Sequence, residues 1–540
     1  NTFTDLRNIT DFVIPNSVTY IGIDAFLNTG VRKLTIPFVG ESRTPSTTGI
    51  GGNGLNATLA WYFVSDNNHA DAASNRWGGT WVSCPLNNVT LSQYWYSADS
   101  RAYVPVNLKT VIVTDCKTIA QQAFRYMSMI ETIVLPFGID PTDTNPLGIP
   151  PQYTDDIEWG PNSLISIGNY AFEGCSLKEI YLPSTLETVG TNVFQNNTTL
   201  TKVVSNSSAI NAYMFYGCTS LSFVQMDFIT EISDYAFYNN DSLVRFQPTI
   251  DGNRNIFEKQ IESIGNYAFY GCEKFIYPLD NNEYLTSPIH TIGYFAFSTI
   301  AQIGGGEDDI VIHLPLHLQS LGEGAFYNSP NISEAYMYSD IVTMTYEHAY
   351  SATSTTYKGV FENVTNLTSL SNLCTLIMER ICMNDINLEA IYMPHVIIIE
   401  DYAFYNCSNL NQAVIQSATR IDDYAFYRNT SLVEFEPGAF IDGVLDTNTT
   451  SFDTLLTAIG NYAFDGCTIL TYPFKTPLGA NSKTTSIGNY AFRNCKYLSG
   501  VIISTDSETG DSVYTAIQGA IDLPISLTSV GSYAFQNDIN

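Results

Sequence analysis

Ile167-Gly168-Asn169-Tyr170-Ala171-Phe172-Glu173-Gly174-Cys175, followed by Leu177 and by Ile180-Tyr181-Leu182-Pro183, is the pattern on which the chain is built. It returns at Ile264-Gly265-Asn266-Tyr267-Ala268-Phe269, from Ile459 to Phe464 and from Ile487 to Phe492. Looser copies centre on Phe26, Phe124, Phe194, Phe215, Phe237, Phe297, Phe326, Phe361, Phe404, Phe426 and Phe535. Where nothing is inserted the phenylalanines stand 21 to 23 residues apart, as in Phe172, Phe194, Phe215 and Phe237. A fixed period of this length is the signature of a solenoid.

Each repeat has two halves. The segment ending in Ile180-Tyr181-Leu182-Pro183 alternates as a short strand, and Pro183 ends the ladder where its missing N–H does least harm. The half from Ile167 to Cys175 turns at Gly168 and is expected to pack Ala171 and Phe172 inward through one helical turn. Two residues after the phenylalanines stand Gly or Asn, such as Gly174, Asn196, Gly217 and Asn239, the residues that tolerate a left-handed turn. The next position exchanges cysteine and asparagine: Cys175, Asn197, Cys218, Asn240, Cys272, Cys407, Asn429, Cys467, Cys495. One coil cannot bury its own apolar face, so neighbouring coils must stack. At the spacing of parallel strands, roughly seventeen coils make a rod on the order of 80 Å long.

The motif IGxYAFxxC followed by LxxIxLP resembles the BspA-type leucine-rich repeat of cell-surface and secreted proteins, and the resemblance covers nearly the whole chain. It implies a right-handed solenoid with a short-stranded parallel sheet and a surface or adhesive role, and it supplies no catalytic residues. Three regions follow: first repeats at 1–37, a Trp-rich insertion at 38–105, and a continuous solenoid with loop insertions at 106–540. The insertion carries Trp61, Trp77, Trp81 and Trp95. Leu59-Ala60-Trp61-Tyr62-Phe63 and Tyr94-Trp95-Tyr96 read as strands. The four tryptophans are either an aromatic contact surface or the buried core of a small subdomain. The resemblance extends here too, since such proteins interrupt an early coil after a TIPF strand and resume at a VPxxLKTV strand.

Composition bounds the partners. Charged residues make up 14 % and the formal net charge is −30, so a nucleic-acid partner finds no basic patch. No run of about 20 apolar residues is present to insert into a membrane. The chain opens Asn1-Thr2-Phe3-Thr4-Asp5, without a basic region or an apolar core of a signal peptide, and so reads as a processed chain or an excerpt. Its last half-coil, Ser529 to Phe535, lacks a following strand, and Asn1 to Pro15 supplies one, which suits copies docked head to tail into a filament.

Chemistry is sparse. Of ten cysteines, six lie in the inner Asn/Cys column and Cys382 replaces a core phenylalanine. Cys467 and Cys495 occupy that column in successive coils and are a second candidate pair, while Cys84 and Cys116, outside it, are the best disulfide candidates. His313 and His317 are separated by Pro315 and do not share a helix face, and Gly304-Gly305-Gly306-Glu307-Asp308-Asp309 reads as an acidic surface loop rather than a calcium site. No cofactor, metal or catalytic group is expected. The rival reading is a polysaccharide-degrading solenoid with carboxylates aligned on successive coils.

Thirteen Asn-x-Ser/Thr sequons occur. Asn196, Asn363 and Asn406 sit at the turn column, and Asn197, Asn240 and Asn429 at the inner column, where burial excludes a glycan. Asn8, Asn56, Asn88, Asn206, Asn331, Asn366 and Asn448 remain as candidate acceptors, with Asn8, Asn331 and Asn366 in one phase of the repeat. Tyrosines form two columns, one with Tyr402, Tyr424, Tyr462, Tyr490 and Tyr533, the other with Tyr216, Tyr238, Tyr405 and Tyr427. They are expected to stack coil on coil with hydroxyls in water, or to bind sugars or protein. The expected protein is extracellular or cell-surface, non-enzymatic and adhesive. Its partners are head-to-tail copies of itself or a surface protein or glycan.

Overall fold

In the Ile180–Pro183 segment every second side chain must face inward, and the observed strand Glu179–Leu182 alternates half-buried and buried residues accordingly. A computed structural model of the chain describes residues 3, 6, 8–27, 29–44, 57–63, 83–86, 89–97, 100–137, 157–205, 210–226, 228–246, 256–279, 283–300, 310–338, 343–345, 357–375, 377–415, 417–433, 439–441, 444–446, 455–470, 483–498, 500–505, 512–517 and 523–538. The chain divides into two units, Asn1–Ile256 with Gly271–Phe275, and Phe257–Tyr270 with Ile276–Asn540.

In the first unit Asp11–Val13, Lys33–Ile36, Thr110–Val113 and Thr132–Val134 pair in parallel, one strand per coil. Glu179–Leu182, Lys202–Ser205 and Phe223–Met226 continue the same scheme, with Ile180, Val203 and Val224 in register and buried. A second, shorter row is made by Thr118–Ile119, Ser166–Ile167 and Thr188–Val189. In the second unit the long row is Ile310–His313, Ile332–Met337, Ser369–Asn372, Ala390–Tyr392 and Gln412–Val414. Its short row includes Ile398–Ile399, Arg420–Ile421, Ala458–Ile459, Ser486–Ile487 and Ser529–Val530. Antiparallel pairing occurs at Ser83–Leu86, Val89–Ser97 and Ser100–Pro105, and in the hairpins Ala439–Ile441 with Val444–Asp446 and Gly500–Thr505 with Ser512–Ile517. The parallel rows, one strand per coil, are those of a leucine-rich-repeat solenoid.

The expected helical turn between the two rows is not a helix. Tyr170 has φ 58 and Gly174 φ 66, so left-handed residues bracket Ala171 and Phe172. The amides of Tyr170, Phe172 and Gly174 donate to the carbonyls of Thr191, Val193 and Gln195 at 3.0, 2.9 and 2.8 Å. A helix would spend those donors within its own turn; here they join one coil to the next. Gly168 is required by this close stacking, because a Cβ there would lie 2.4 Å from the Gln121 nitrogen.

The core follows from the same spacing. Phe124, Phe172, Phe194, Phe215 and Phe237 are fully buried and stack ring on ring at 5.2–5.4 Å. Phe404, Phe426, Phe464, Phe492 and Phe535 repeat the stack at 5.1–5.4 Å. Near-parallel rings at such separations are offset stacks, adding about 0.5–1.5 kcal/mol per pair to their area burial.

The Asn/Cys exchange has a hydrogen-bonding cause. Each inner thiol donates to the carbonyl of the core residue one coil earlier: Cys175 to Phe124, Cys218 to Phe194, Cys407 to Cys382, Cys467 to Phe426 and Cys495 to Phe464, all at 3.0–3.2 Å. Asn197 Nδ2 donates to Phe172 O at 2.8 Å and Asn240 Nδ2 to Phe215 O at 3.0 Å. At these coils cysteine and asparagine are exchangeable because each is a small buried group with a donor to give.

The reading of residues 59–63 as a strand is also corrected. Leu59–Phe63 is a buried 3-10 turn. Its Trp61 and Tyr62 carbonyls accept from the Asp24 and Phe26 amides at 3.1 and 2.9 Å, while the Leu59 amide donates to Ala123 O at 2.9 Å. It thus stands where a half-coil would, between the coils of Phe26 and Phe124. Arg43 ties the start of the insertion to the sheet by donating to Asp115 Oδ2 at 2.9 and 2.6 Å and to the Val18 and Asn16 carbonyls.

Candidate interaction surface

Two residues before most core phenylalanines the turn takes a positive φ, and tyrosine fills that place repeatedly: Tyr402, Tyr424, Tyr462, Tyr490 and Tyr533 have φ between 56 and 59. Such a backbone is uncommon for a residue with a Cβ, and it is held by inter-coil bonds such as that from the Tyr402 amide to Asp423 O at 3.0 Å. The five rings form one continuous column with centroids 4.9, 4.7, 4.7 and 5.1 Å apart. Tyr405 and Tyr427, one residue after the core phenylalanines, stack at 4.7 Å in a second column. The columns lean together within each coil, Tyr402 on Tyr405 at 5.7 Å and Tyr424 on Tyr427 at 5.6 Å. The first unit carries the same double ladder at Tyr213, Tyr235, Tyr216 and Tyr238. Tyr402, Tyr405, Tyr424 and Tyr427 are all half-buried, so a row of ring edges and hydroxyls faces solvent. Stacking uses the ring faces, which leaves little for the face contacts that sugars need.

At three coils where the second column lacks tyrosine it holds a buried acid with a cation. Glu173 is paired with Arg125 at 2.6 Å, Glu362 with Lys358 and Arg380 at 3.3 and 3.1 Å, and Asp465 with Arg493. Arg125 lies over Tyr126 and Tyr170 at 4.7 and 4.8 Å, and Arg493 over Tyr462 and Tyr490 at 5.3 and 4.7 Å. Sequence reasoning missed these pairs. The signal was there, since an arginine stands in the same column one coil away from both Glu173 and Asp465.

Beside the ladder of the second unit runs an acidic row. Asp401 Oδ1 accepts the Asp423 amide at 2.8 Å, and Asp423 Oδ1 accepts the Asn461 amide at 2.6 Å. Arg420 pairs with Asp422 at 2.6 Å. Burial, and then the like charge of neighbouring carboxylates, raises the carboxyls of Glu379 and Glu400. Burial raises Asp401 as well, against the Asp423 amide that holds it down. A shallow cavity of ≈ 410 Å³ adjoins this row, floored by short residues including Ala458, Gly460, Ser486 and Gly488.

A second aromatic group breaks the repeat. The His313 ring stacks on Tyr284 at 4.6 Å and on Tyr336 at 4.9 Å, and its Nδ1 meets the Tyr338 hydroxyl at 2.7 Å. The Tyr336 hydroxyl donates to Glu334 Oε2 at 2.8 Å. Burial lowers the pKa of His313, opposed by the Glu334 charge, and burial pushes Tyr336 up to about 12. These rings come from different coils and no short motif announces them.

The sites expected from sequence separate as follows. Trp61 is buried, 2 % exposed, and its Nε1 donates to Ile21 O at 2.8 Å, which removes it from any contact surface. Trp77 and Trp81 lie outside the described residues, and for Trp95 and Cys84 only the strands that carry them, Val89–Ser97 and Ser83–Leu86, are described. Cys116 is a buried, free thiol, raised to about 12 chiefly by burial. Cys467 and Cys495 are also free thiols, each engaged with a carbonyl rather than with the other. Asn8 and Asn366 are exposed and Asn331 half-buried. Asn331 and Asn366 stand on adjacent coils, since Glu334 and Ser369, three residues on, are in register. Asn56, Asn88, Asn206 and Asn448 lie outside the described residues, as does the 304–309 loop. Among the described residues no helix is long and apolar enough to cross a membrane.

The sequence matches the BspA type leucine rich repeat region over residues 1–42, 79–145, 156–254, 245–371, 351–441, 375–471 and 434–540. No curated protein matches the chain. Among solved structures, it is similar to a leucine-rich repeat protein from Bacteroides ovatus at 17 % identity and TM-score 0.37, covering 85 % of this chain and 91 % of that one. It is also similar to a leucine rich cell surface protein from Faecalibacterium prausnitzii at 16 % identity and TM-score 0.26, covering 73 % and 89 %. The pneumococcal vaccine antigen PcpA is similar at 13 % identity and TM-score 0.23, covering 71 % and 68 %.

Proposed function

The chain belongs to the BspA-type leucine-rich repeat family, and from that premise we propose that it is an extracellular or cell-surface protein that binds and adheres rather than catalyses. The double tyrosine ladder carries this reading. It is a long, rigid, half-exposed row of aromatic edges and hydroxyls held by the repeat itself, and tyrosine is among the residues that dominate binding surfaces. The formal net charge of −30 favours a soluble surface that repels polyanions. An antibody to the chain applied to intact cells of its source tests the location, and labelling only after permeabilisation overturns it. A screen of the purified chain on glycans and peptides tests the absence of catalysis. Turnover abolished by one carboxylate substitution overturns that part.

A finer reading is head-to-tail assembly into a filament. It is favoured by the repeat itself, in which each coil joins the next through backbone amides such as those of Tyr170, Phe172 and Gly174, a pairing that a coil of another copy can continue. Electron microscopy of native material at micromolar concentration tests it, and isolated particles with free ends refute it. Glycosylation at Asn8, Asn331 or Asn366 belongs to the same proposal, and the intact mass of native protein tests it.

A further inference from the structure

The repeat itself shows which chemistry its tyrosine ladder accepts. At Arg493 and Arg125 the second column holds a guanidinium in place of a tyrosine, and that group lies 4.7–5.3 Å from the first-column rings of Tyr462, Tyr490 and Tyr170. Arg428 lies over the Tyr427 ring at 5.2 Å, whereas at Tyr402, Tyr405 and Tyr424 no cation of the described residues lies over the rings and carboxylates are close. Of Glu379, Glu400, Asp401, Asp422 and Asp423, Asp422 alone is ion-paired, with Arg420. The hydroxyls of Tyr402, Tyr405, Tyr424 and Tyr427 make no hydrogen bond to the described protein, so four phenol oxygens stand ready to accept.

We propose that the ladder around Tyr402, Tyr405, Tyr424 and Tyr427, with its flanking carboxylates, is the docking surface for an arginine-rich segment of a partner protein. A guanidinium offers five donors in a planar fork, which suits the row of ring edges, phenol oxygens and carboxylates left open by the stack, and it sheds water more readily than an ammonium. Glu379, Glu400, Asp401, Asp422 and Asp423 outnumber the neighbouring Arg380 and Arg420, and this acidic excess supplies the complementary charge and steers the approach. Only 23 of the 540 residues are Lys or Arg, so a second copy of this chain is a poor occupant. Lysine matches the charge but not the fork, and arginine is therefore preferred. The inference rests on the reading of the chain as a binding protein, but its test uses purified protein and is indifferent to cellular location.

The test is fluorescence anisotropy of labelled octa-arginine and octa-lysine peptides against the full chain at low salt. Octa-arginine is expected to bind at least about fivefold more tightly than octa-lysine. The double variant Tyr405→Phe with Tyr427→Phe keeps the ring stack and removes two acceptors, and it is expected to weaken octa-arginine about three- to tenfold. Glu400→Gln with Glu379→Gln is expected to do the same without touching the ladder. Tyr216→Phe with Tyr238→Phe, in the other ladder, keeps wild-type affinity. Equal binding of the two peptides, or retained affinity in both the Tyr405/Tyr427 and the Glu379/Glu400 variants, assigns binding to bulk charge and overturns the proposal. So does failure of octa-arginine to bind, even if the protein proves to be on the cell surface.

Discussion

Replacing Asp385 by asparagine should stabilise the protein, and increasingly so as pH rises. Asp385 occupies the inner column, is fully buried beside the Cys382 thiol, and accepts the Val364 amide on Oδ1 at 2.7 Å while Oδ2 has no hydrogen bond of normal geometry among the described residues. Burial raises its carboxyl well above the usual range, which favours the neutral form in the folded chain. Asparagine at the equivalent place in another coil, Asn197, donates to two carbonyls, of Phe172 at 2.8 Å and Phe194 at 2.9 Å. In Asp385→Asn the amide would keep the Val364 bond and turn its donors toward the corresponding carbonyls of Phe361 and Cys382. Satisfying a buried polar atom contributes about 1–3 kcal/mol. A second contribution comes from proton linkage. Because the folded pKa lies above the unfolded value of about 4, the stability from the neutral carboxyl is complete below pH 4. It is lost as pH rises toward the folded value, at up to about 1.4 kcal/mol per unit. Urea unfolding followed by circular dichroism from pH 4 to 8 measures both, with the variant curve diverging upward from wild type. Parallel curves, or a variant less stable than wild type at pH 7, would refute the reasoning.

Phe215→Ala removes a fully buried ring stacked at 5.4 Å on both Phe194 and Phe237, and is expected to cost about 3–5 kcal/mol, read as a lowered urea midpoint. Gly168→Ala drives a Cβ to 2.4 Å from the Gln121 nitrogen, so backbone must move; a loss of about 1–3 kcal/mol is expected in the same assay, and a neutral result would mean the coils separate easily. The inner thiols are buried, and burial pushes Cys218 up to about 12, so a thiol-specific reagent at pH 8 should leave Cys175, Cys218, Cys407 and Cys467 untouched until denaturant is added. Rapid reaction in the native protein would contradict the bonds to the core carbonyls.

The parts of the fold that could be read from residues were those set by neighbouring coils in phase. Phe172, Phe194, Phe215 and Phe237 recur because a parallel solenoid stacks like on like, and the Asn/Cys exchange marks a donor that such stacking needs. The turn was misread as helical because Ala and Phe fit either conformation; the cue was Tyr170, whose left-handed backbone is set by the bonds to Thr191 and Val193 on the next coil. Leu59–Phe63 was misread because its carbonyls serve Asp24 and Phe26, far away in sequence, and a filler of that kind has no period to betray it. Trp61 went with it, since burial depends on that placement. The tyrosine columns were legible. Their partners at Arg125 and Arg493 were visible only as charges in the same column, and the His313 group joins coils through insertions of irregular length.

The thiol-to-carbonyl bond has a consequence for how such chains change length. Cys218 reaches the carbonyl of Phe194, and Asn197 reaches that of Phe172, by the same geometry one coil apart. A chain lacking residues 195–215 would join Phe194 to Tyr216, leave Cys218 three residues past the core ring, and offer it the Phe172 carbonyl that Asn197 had used. Donor and acceptor still match across the splice, and so does the ring stack. Whole coils are therefore interchangeable parts, and recombination that gains or loses one need not repair anything on either side.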